Sequence, residues 1–359
     1  MSPLLSLAER GPVKIGICVP LTGVDAPFGQ SVSKAISVAH ALRPAVLDNK
    51  IELHFFDTKS DDTLTSQGME ALITTSNVHA VIGGTPDDRI PPGSAIAEKE
   101  RIPVVYPFVT YPLAGQNNKY TFTVGATNSS EAKAAALFAS KIEGANKAAV
   151  MIDVSQDYSL HLSSIFMSSF IEKGGKVVSA TYYQWEDKKL TEQITSIVAA
   201  KPDILYLPDY PAAVALACRC AMESDLRIPI ISSIKARTHD LIKEGKDTVE
   251  GVTVPGYFAR EAVTSDLAKQ FIETYKKGTG EEVSTTHALS ADSYFLLIDA
   301  IERAKSLKGY KIRKALAETK NFDALSGRIS IDAKGTARRG IVFHRIKEGK
   351  FEYLTKLNP

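Results

Sequence analysis

Short runs dominated by apolar, often β-branched residues recur along the chain, and stretches with apolar residues three and four apart lie between them. Runs at 13–19, 51–56, 78–82 and 103–106 predict buried strands. Residues 31–42 and 63–74 carry the helical spacing, and 91–100 supplies a third, shorter helix. The same order then repeats, with strand runs at 147–153, 176–183, 203–207 and 229–232. Alternation of this kind predicts parallel sheets covered by helices on both faces.

Two details make the repetition specific. From Ile51 to Val78 is 27 positions, and from Lys176 to Asp203 is again 27. The fourth strand of each set follows the same tripeptide, Arg101-Ile102-Pro103 and Arg227-Ile228-Pro229. Together these favour two homologous α/β lobes over one extended sheet. The remaining tail predicts a strand at 252–254, an amphipathic helix at 265–277 and a helix at 310–319. It also holds the most regular helix of the chain, 288–304, with Leu289, Tyr294, Leu297, Ile298 and Ile301 on one side. Final strands are predicted at 328–331 and 341–346. This tail is too small for a core of its own, so it completes the two lobes. The chain therefore crosses between them near 125–130, 251–256 and 332–339. The expected division is 13–125 with 255–331 for lobe 1 and 126–254 with 332–359 for lobe 2, after an N-terminal extension at 1–12.

Composition narrows the function classes. Lysine and arginine number 43 against 41 acidic residues, a formal charge of +2, which gives nucleic acid or an anionic membrane no electrostatic footing. Apolar residues make up 44%, enough for the cores of two ordinary domains and against wholesale disorder. The longest unbroken apolar stretch, 212–218, is far short of the roughly 20 residues that cross a bilayer. The three cysteines, Cys18, Cys218 and Cys220, are too few and odd for a disulfide framework. Cys218 and Cys220 read as small buried apolar residues of a helix rather than metal ligands. Residues 1–11 hold a short apolar patch without a basic n-region or a long h-region, so they are not a complete secretory signal.

In open α/β sheets, ligands bind outside the carboxyl ends of the strands. Those tips are Thr22-Gly23, Asp57, the loop from Gly84 to Arg89 and Phe108 to Tyr111 in the first lobe. In the second they are Asp153 to Tyr158, Asp209-Tyr210 and Ser232 to Arg237. Two such lobes facing each other would bury a small molecule between them. Asp57 and Asp153 read as helix caps before ligand contacts. Tyr158 and Tyr210 fit either packing or a ligand wall, and both fall at strand tips of one lobe. The glycines at 83–84 lack the spacing of a phosphate loop. No paired-histidine metal motif, nucleophile elbow or Cys–His pair is present. An enzyme is therefore not expected, and no cofactor or metal is implied.

The segment from Lys14 through Pro20-Leu21-Thr22-Gly23 to Phe28-Gly29 resembles the opening of the type I periplasmic substrate-binding proteins of ABC importers, in their leucine/isoleucine/valine-binding family. Val81-Ile82-Gly83, Thr110 with Pro112, Asp157-Tyr158, Val249 to Val252 and the helix at 290–304 follow in family order. The resemblance runs from about Val13 to the C-terminus. It implies an α/β fold of two Rossmann-like lobes with parallel sheets joined by three hinge crossings. It further implies a periplasmic, usually monomeric protein, its signal removed before this sequence begins, that hands a small solute to a membrane ABC permease. A cytosolic or receptor-linked sensor of the same fold is the alternative.

The resemblance also implies where the ligand lies. In amino-acid-binding members its carboxylate meets hydroxyls and N–H groups at positions matching Thr85 to Asp87 and Phe108 to Thr110, with Tyr111 on the same tip. Aromatic residues matching Tyr158 and Tyr210 close over it. Two departures matter. The family's small hydroxyl residue in the third-strand loop is replaced near Asp87, with Thr85 close enough to substitute. At the fourth strand tip of lobe 2, amino-acid binders commonly place an acid, whereas this chain reads Ser233-Ile234-Lys235-Ala236-Arg237. A cation there repels an ammonium and attracts an anionic or carbonyl group. The expected ligand is a carboxylate without an α-amino group (aromatic, keto or dicarboxylic), with an amino acid as its competitor.

Overall fold

The computed structural model describes residues 11–84, 92–108 and 118–358. The chain divides into two compact units. The first begins with β1 (Val13–Val19), whose apolar side chains are almost wholly buried on both faces of the sheet. There follow α1 (Ala26–Leu42), β2 (Ala45–Val46), β3 (Asn49–Asp57), α2 (Asp62–Glu70), β4 (Ala80–Gly83), α3 (Ser94–Glu100), β5 (Val104–Tyr106) and β6 (Thr121–Thr123). Helix α1 starts with Pro27 in its first turn and turns Val32, Ala35, Ile36 and Ala39 inward at helical spacing. The sheet order is β2-β3-β1-β4-β5-β6, parallel throughout except that β2 folds back on β3.

The second unit opens with α4 (Asn128–Lys141), β7 (Lys147–Asp153), α5 (Asp157–Glu172), β8 (Lys176–Tyr183) and α6 (Thr191–Ala200). It continues through β9 (Ile204–Tyr206), α7 (Pro211–Glu223), β10 (Ile230–Ile231), α8 (His239–Gly245) and β11 (Thr253–Gly256). The chain then supplies the first unit with α9 (Asp266–Thr279), α10 (Thr285–Ala304), α11 (Gly309–Ala317) and the small antiparallel sheet β12 (Phe322–Ala324), β13 (Gly327–Ile331) and β14 (Ala337–Arg339). It ends in the second unit as the hairpin β15 (Ile341–Lys347) and β16 (Lys350–Leu357). The second sheet reads β16-β15-β11-β10-β9-β7-β8. Five strands of each sheet share one order: β3-β1-β4-β5-β6 matches β8-β7-β9-β10-β11. The repeated spacing in the sequence thus reflects a repeated topology.

The units divide at 127/128, 262/263 and 339/340. The last two divisions lie later than the expected 254/255 and 331/332, for reasons visible in the pairing. Strand β11 pairs with β10 and β15, which keeps 253–256 in the second unit. Strand β14 pairs with β13, which keeps 337–339 in the first. The helix at 288–304 also differs from its expected one-sided burial. Helix α10 starts at Thr285, behind a capping box of Ser284 and His287, and nearly every side chain from His287 to Ile298 is buried. Its many alanines and serines allow close approach on several faces.

Asp57 and Asp153 do not cap helices. Asp57 Oδ1 accepts the N–H groups of Leu21 (2.8 Å), Thr22 (3.1 Å) and Lys59 (2.9 Å), while Oδ2 accepts the Thr22 hydroxyl at 2.7 Å. Burial alone would raise its pKa, but these donors win and lower it to about 2. The cap of α2 is Asp61, which accepts Leu64 N–H at 2.8 Å. Asp57 therefore staples the Leu21-Thr22-Gly23 loop to the tip of β3. Tight approach explains the glycines of that motif. A Cβ on Gly23, whose φ is +89°, would lie 2.4 Å from Lys59 O, and one on Gly29 would lie 1.9 Å from Pro20 O. Gly29→Ala is expected to lower stability by about 1–3 kcal/mol, because backbone must move to admit the methyl. Urea unfolding followed by circular dichroism checks this.

Candidate functional site

The carboxyl ends of β7, β8, β9 and β10 in the second unit gather a polar and aromatic cluster. At the β10 end, Ser232 Oγ donates to Leu207 O at 2.7 Å and Ser233 Oγ to Asp209 O at 2.8 Å. These bonds tie the chain leaving β10 to the chain leaving β9. The next residues, Ile234–Ala236, form a single 3-10 turn. That turn carries Lys235 beside Tyr210, the residue before α7.

Lys235 Nζ donates to the Tyr210 hydroxyl at 3.1 Å. The same ammonium lies 4.8 Å from the ring centre of Tyr158 and 5.2 Å from that of Tyr210. The two tyrosine rings are 6.1 Å apart. Three residues expected at the site, Tyr158, Tyr210 and Lys235, are thus brought together. Arg237 goes elsewhere: its Nη2 meets His344 Nε2 at 3.3 Å, and its guanidinium stands 5.8 Å from the Phe351 ring. Burial, then the arginine charge, pushes the His344 imidazole down to about 3. Lys235 is therefore the cation beside the tyrosines, and Arg237 braces the terminal hairpin.

Residues outside the expected list complete the cluster. Glu131, in the first turn of α4, is 1% exposed. Its carboxylate accepts the Tyr158 hydroxyl at 3.2 Å on either oxygen and the Ile234 N–H at 2.8 Å. Burial raises its pKa to about 7, against the opposing pull of the Ile234 N–H, the Tyr158 hydroxyl and the Lys235 charge. Asp209, fully buried, accepts the Tyr183 hydroxyl and the Tyr210 N–H, the latter at 2.6 Å. Burial lifts it to about 6 despite those bonds, and the nearby Asp153 adds to the rise. Asp153 Oδ1 accepts the N–H of Ser155 at 2.8 Å and its hydroxyl at 2.5 Å. Ser155 Oγ in turn accepts Trp185 N–H at 3.1 Å. That chain of bonds sets Trp185, 45% exposed, edge-on to Tyr210 with ring centres 6.0 Å apart. Trp185 had a readable signal, since it lies just beyond strand run 176–183, at the same sheet end as Tyr158. Glu131 had none: its partners are 27 and 103 positions away.

In the first unit, Phe108 follows β5 and packs edge-on against Phe28 of α1, with ring centres 5.4 Å apart. Both sit at the carboxyl ends of the parallel strands, with the Phe28 ring near Gly84 just after β4. Thr85, Asp87, Thr110 and Tyr111 lie outside the described residues, as do Asp88 and Arg89. Among the described residues, no group of His, Cys, Asp and Glu has a metal-holding arrangement. No described helix is long and apolar enough to cross a membrane. Cys218 and Cys220 are buried in α7, and burial pushes the Cys218 thiol up to about 12, away from reactivity.

Comparison with known proteins follows the same lines. Residues 12–350 match the family model described as periplasmic binding protein. The Leu/Ile/Val-binding protein homolog 3 of Brucella melitensis is 24% identical over 339 residues, covering 91% of this chain and 89% of the relative. The crystal structure of the leucine-binding protein LivK of Thermotoga maritima is 33% identical, with a TM-score of 0.77 over 97% of this chain and 99% of that one. A solute-binding protein of Rhodopseudomonas palustris HaA2, solved with p-hydroxybenzoic acid, is 19% identical, with a TM-score of 0.76 over 97% of each chain. The repeated strand order, the stapled Leu21-Thr22-Gly23 loop and these matches agree: the chain belongs to the type I periplasmic binding proteins, in their leucine/isoleucine/valine-binding family.

Proposed function

We propose that this protein is the solute-binding component of an ABC importer and that it captures a small carboxylate lacking an α-amino group. An aromatic acid fits best, with keto and dicarboxylic acids next. Closure of the two units about their three crossings would hold the ligand, and a membrane permease would recognise the closed form. The observation that carries this reading is Lys235, whose ammonium lies over two tyrosine rings where amino-acid binders of the family commonly place an acid. A ligand carboxylate would take a charge-assisted hydrogen bond from Lys235, and its ring would face Tyr158, Tyr210 and Trp185. Phe108, Thr85, Asp87, Thr110 and Tyr111 would supply the side from the first unit. The Rhodopseudomonas palustris structure with p-hydroxybenzoic acid supports this ligand class.

The second reading is a branched-chain or aromatic amino acid, favoured by the 33% identity to a leucine-binding protein. A thermal-shift screen of hydroxybenzoates, keto acids, dicarboxylates and amino acids separates the two. A ligand at a hundred times its Kd stabilises the native state by about 2.7 kcal/mol, readily seen as a higher Tm. The largest shifts are expected from hydroxybenzoates. A larger shift with leucine or phenylalanine would assign the solute to the second reading.

A further inference from the structure

Glu131 is an acidic side chain that touches both the aromatic wall and the cationic turn of this cluster. It is buried, and its two oxygens are shared between the Tyr158 hydroxyl and the N–H that opens the Lys235 turn. Neutral packing does not need a carboxylate here, because a buried ion is costly unless other groups compensate it. Compensation comes from two hydrogen-bond donors and from the Lys235 charge. The groups around it come from three elements. They are Tyr158 on α5, Tyr206 on β9, and Ile234 and Lys235 of the 3-10 turn just after β10, while Tyr257, just after β11, faces Tyr158. His161 of α5 also approaches, with Nε2 3.5 Å from Ser129 Oγ in the same first turn of α4. Lys235 is the positive member of the set closest to where the ligand is placed.

We propose that Glu131 is the positioning residue of this pocket: its carboxylate fixes where Tyr158 and Lys235 stand, and its ionisation is coupled to the charge of the ligand that Lys235 meets. The coupling rests on the acid-binding reading above, and the fixing does not. While Glu131 is ionised, it offsets the Lys235 charge. An anionic ligand arriving at Lys235 disfavours that second negative charge and draws a proton onto Glu131. By linkage, protonating Glu131 strengthens acid binding by the same factor. The direction follows from its raised pKa of about 7, against a usual 4.5. Acid affinity rises as pH falls through 7. In the free protein, Glu131 likewise adds stability at low pH that is lost as pH rises through 7.

The chain's single tryptophan makes this testable without any ligand, since Trp185 lies edge-on to Tyr210, which takes the Lys235 hydrogen bond. Trp185 emission of the free protein is expected to change between pH 5 and 9 with a midpoint near 7. Glu131→Gln should remove that step, and Asp209→Asn should leave it. No step in the wild type, or an unchanged step in Glu131→Gln, overturns the positioning role. Calorimetry with 4-hydroxybenzoate at pH 6 and pH 8, in buffers of different ionisation heat, then reads the coupling. That probe keeps one negative charge at both pH values. The wild type should bind about fivefold tighter at pH 6 and take up a proton, while Glu131→Gln binds equally at both. A wild type with pH-independent affinity overturns the coupling. If neither protein binds 4-hydroxybenzoate but leucine binds both, the acid reading and the coupling to it fail, and the ligand-free step alone decides the positioning role.

Discussion

Lys235→Glu is expected to weaken 4-hydroxybenzoate binding by about a hundredfold or more at pH 8, with the fold retained and Tm lowered. The side chain stands on a partly open turn and donates a hydrogen bond to the Tyr210 hydroxyl. Losing it also takes a compensating charge from the buried Glu131 carboxylate, so the free protein loses some stability too. The bound state loses more. A charge pair with a ligand acid in a closed site is worth roughly 2–5 kcal/mol on truncation, and reversal adds repulsion. At about 1.4 kcal/mol per tenfold, a hundredfold loss is the lower part of that range. The pH matters because the new carboxylate would stand near Glu131, and two such groups share a proton as pH falls. At pH 6 part of the repulsion would be titrated away, so pH 8 is the stricter condition. Lys235→Met removes the charge without reversing it and should cost about thirtyfold, the low end of the truncation range. Leucine is the useful counter-ligand, since an acid at 235 restores a partner for an ammonium. If Lys235→Glu bound the aromatic acid as tightly as the wild type, the electrostatic basis of the proposed ligand class would be lost.

The parts of the fold that could be read from the chain are those with runs of apolar, β-branched or aromatic residues, whether evenly buried as in β1 or of mixed burial as in β8. Strands β1, β7 and β8 fall where the apolar runs place them, at 13–19, 147–153 and 176–183. Strand β16 was missed because its residues alternate between partly buried and exposed along an outer edge, so its sequence reads as a polar tail. Strand β6 is three residues long and packed by threonines, too short for any period to show. The site divides along the same line. Tyr158, Tyr210 and Lys235 were legible because a parallel sheet gathers its strand ends, whatever the sequence separation. Glu131 was not, because its role depends on packing between α4, α5 and the β10 tip. In the sequence it is one more acid in a helical first turn, where a carboxylate is favoured by the helix dipole anyway.

The largest loss of stability is expected in the first unit, at Asp292→Ala, about 3–5 kcal/mol. Asp292 is fully buried in the middle of α10. Its carboxylate accepts the N–H groups of Leu325 at 2.6 Å and Ser326 at 3.3 Å, together with the Ser326 hydroxyl. Burial raises its pKa to about 6, opposed first by the charge of Arg339 and then by those donors. Arg339 is itself 6% exposed and donates to Val124 O at 3.0 Å and Ser326 O at 3.1 Å. One carboxylate and one guanidinium therefore join α10, the turn between β12 and β13, the end of β14 and the segment after β6. Alanine would leave a buried cation without its counter-charge and two N–H groups without their acceptor, and each is a recognised source of large destabilisation. Asp292→Asn keeps one accepting oxygen for the turn but loses the charge and turns an NH2 group toward the other donors, so it should cost less than alanine. Urea unfolding at pH 7, followed by circular dichroism, gives both values. Equal losses for the two variants would mean that the cluster acts through charge alone. A loss below about 1 kcal/mol for alanine would mean that water or a rotated Arg339 replaces the carboxylate, and that the cluster does not hold these four segments together.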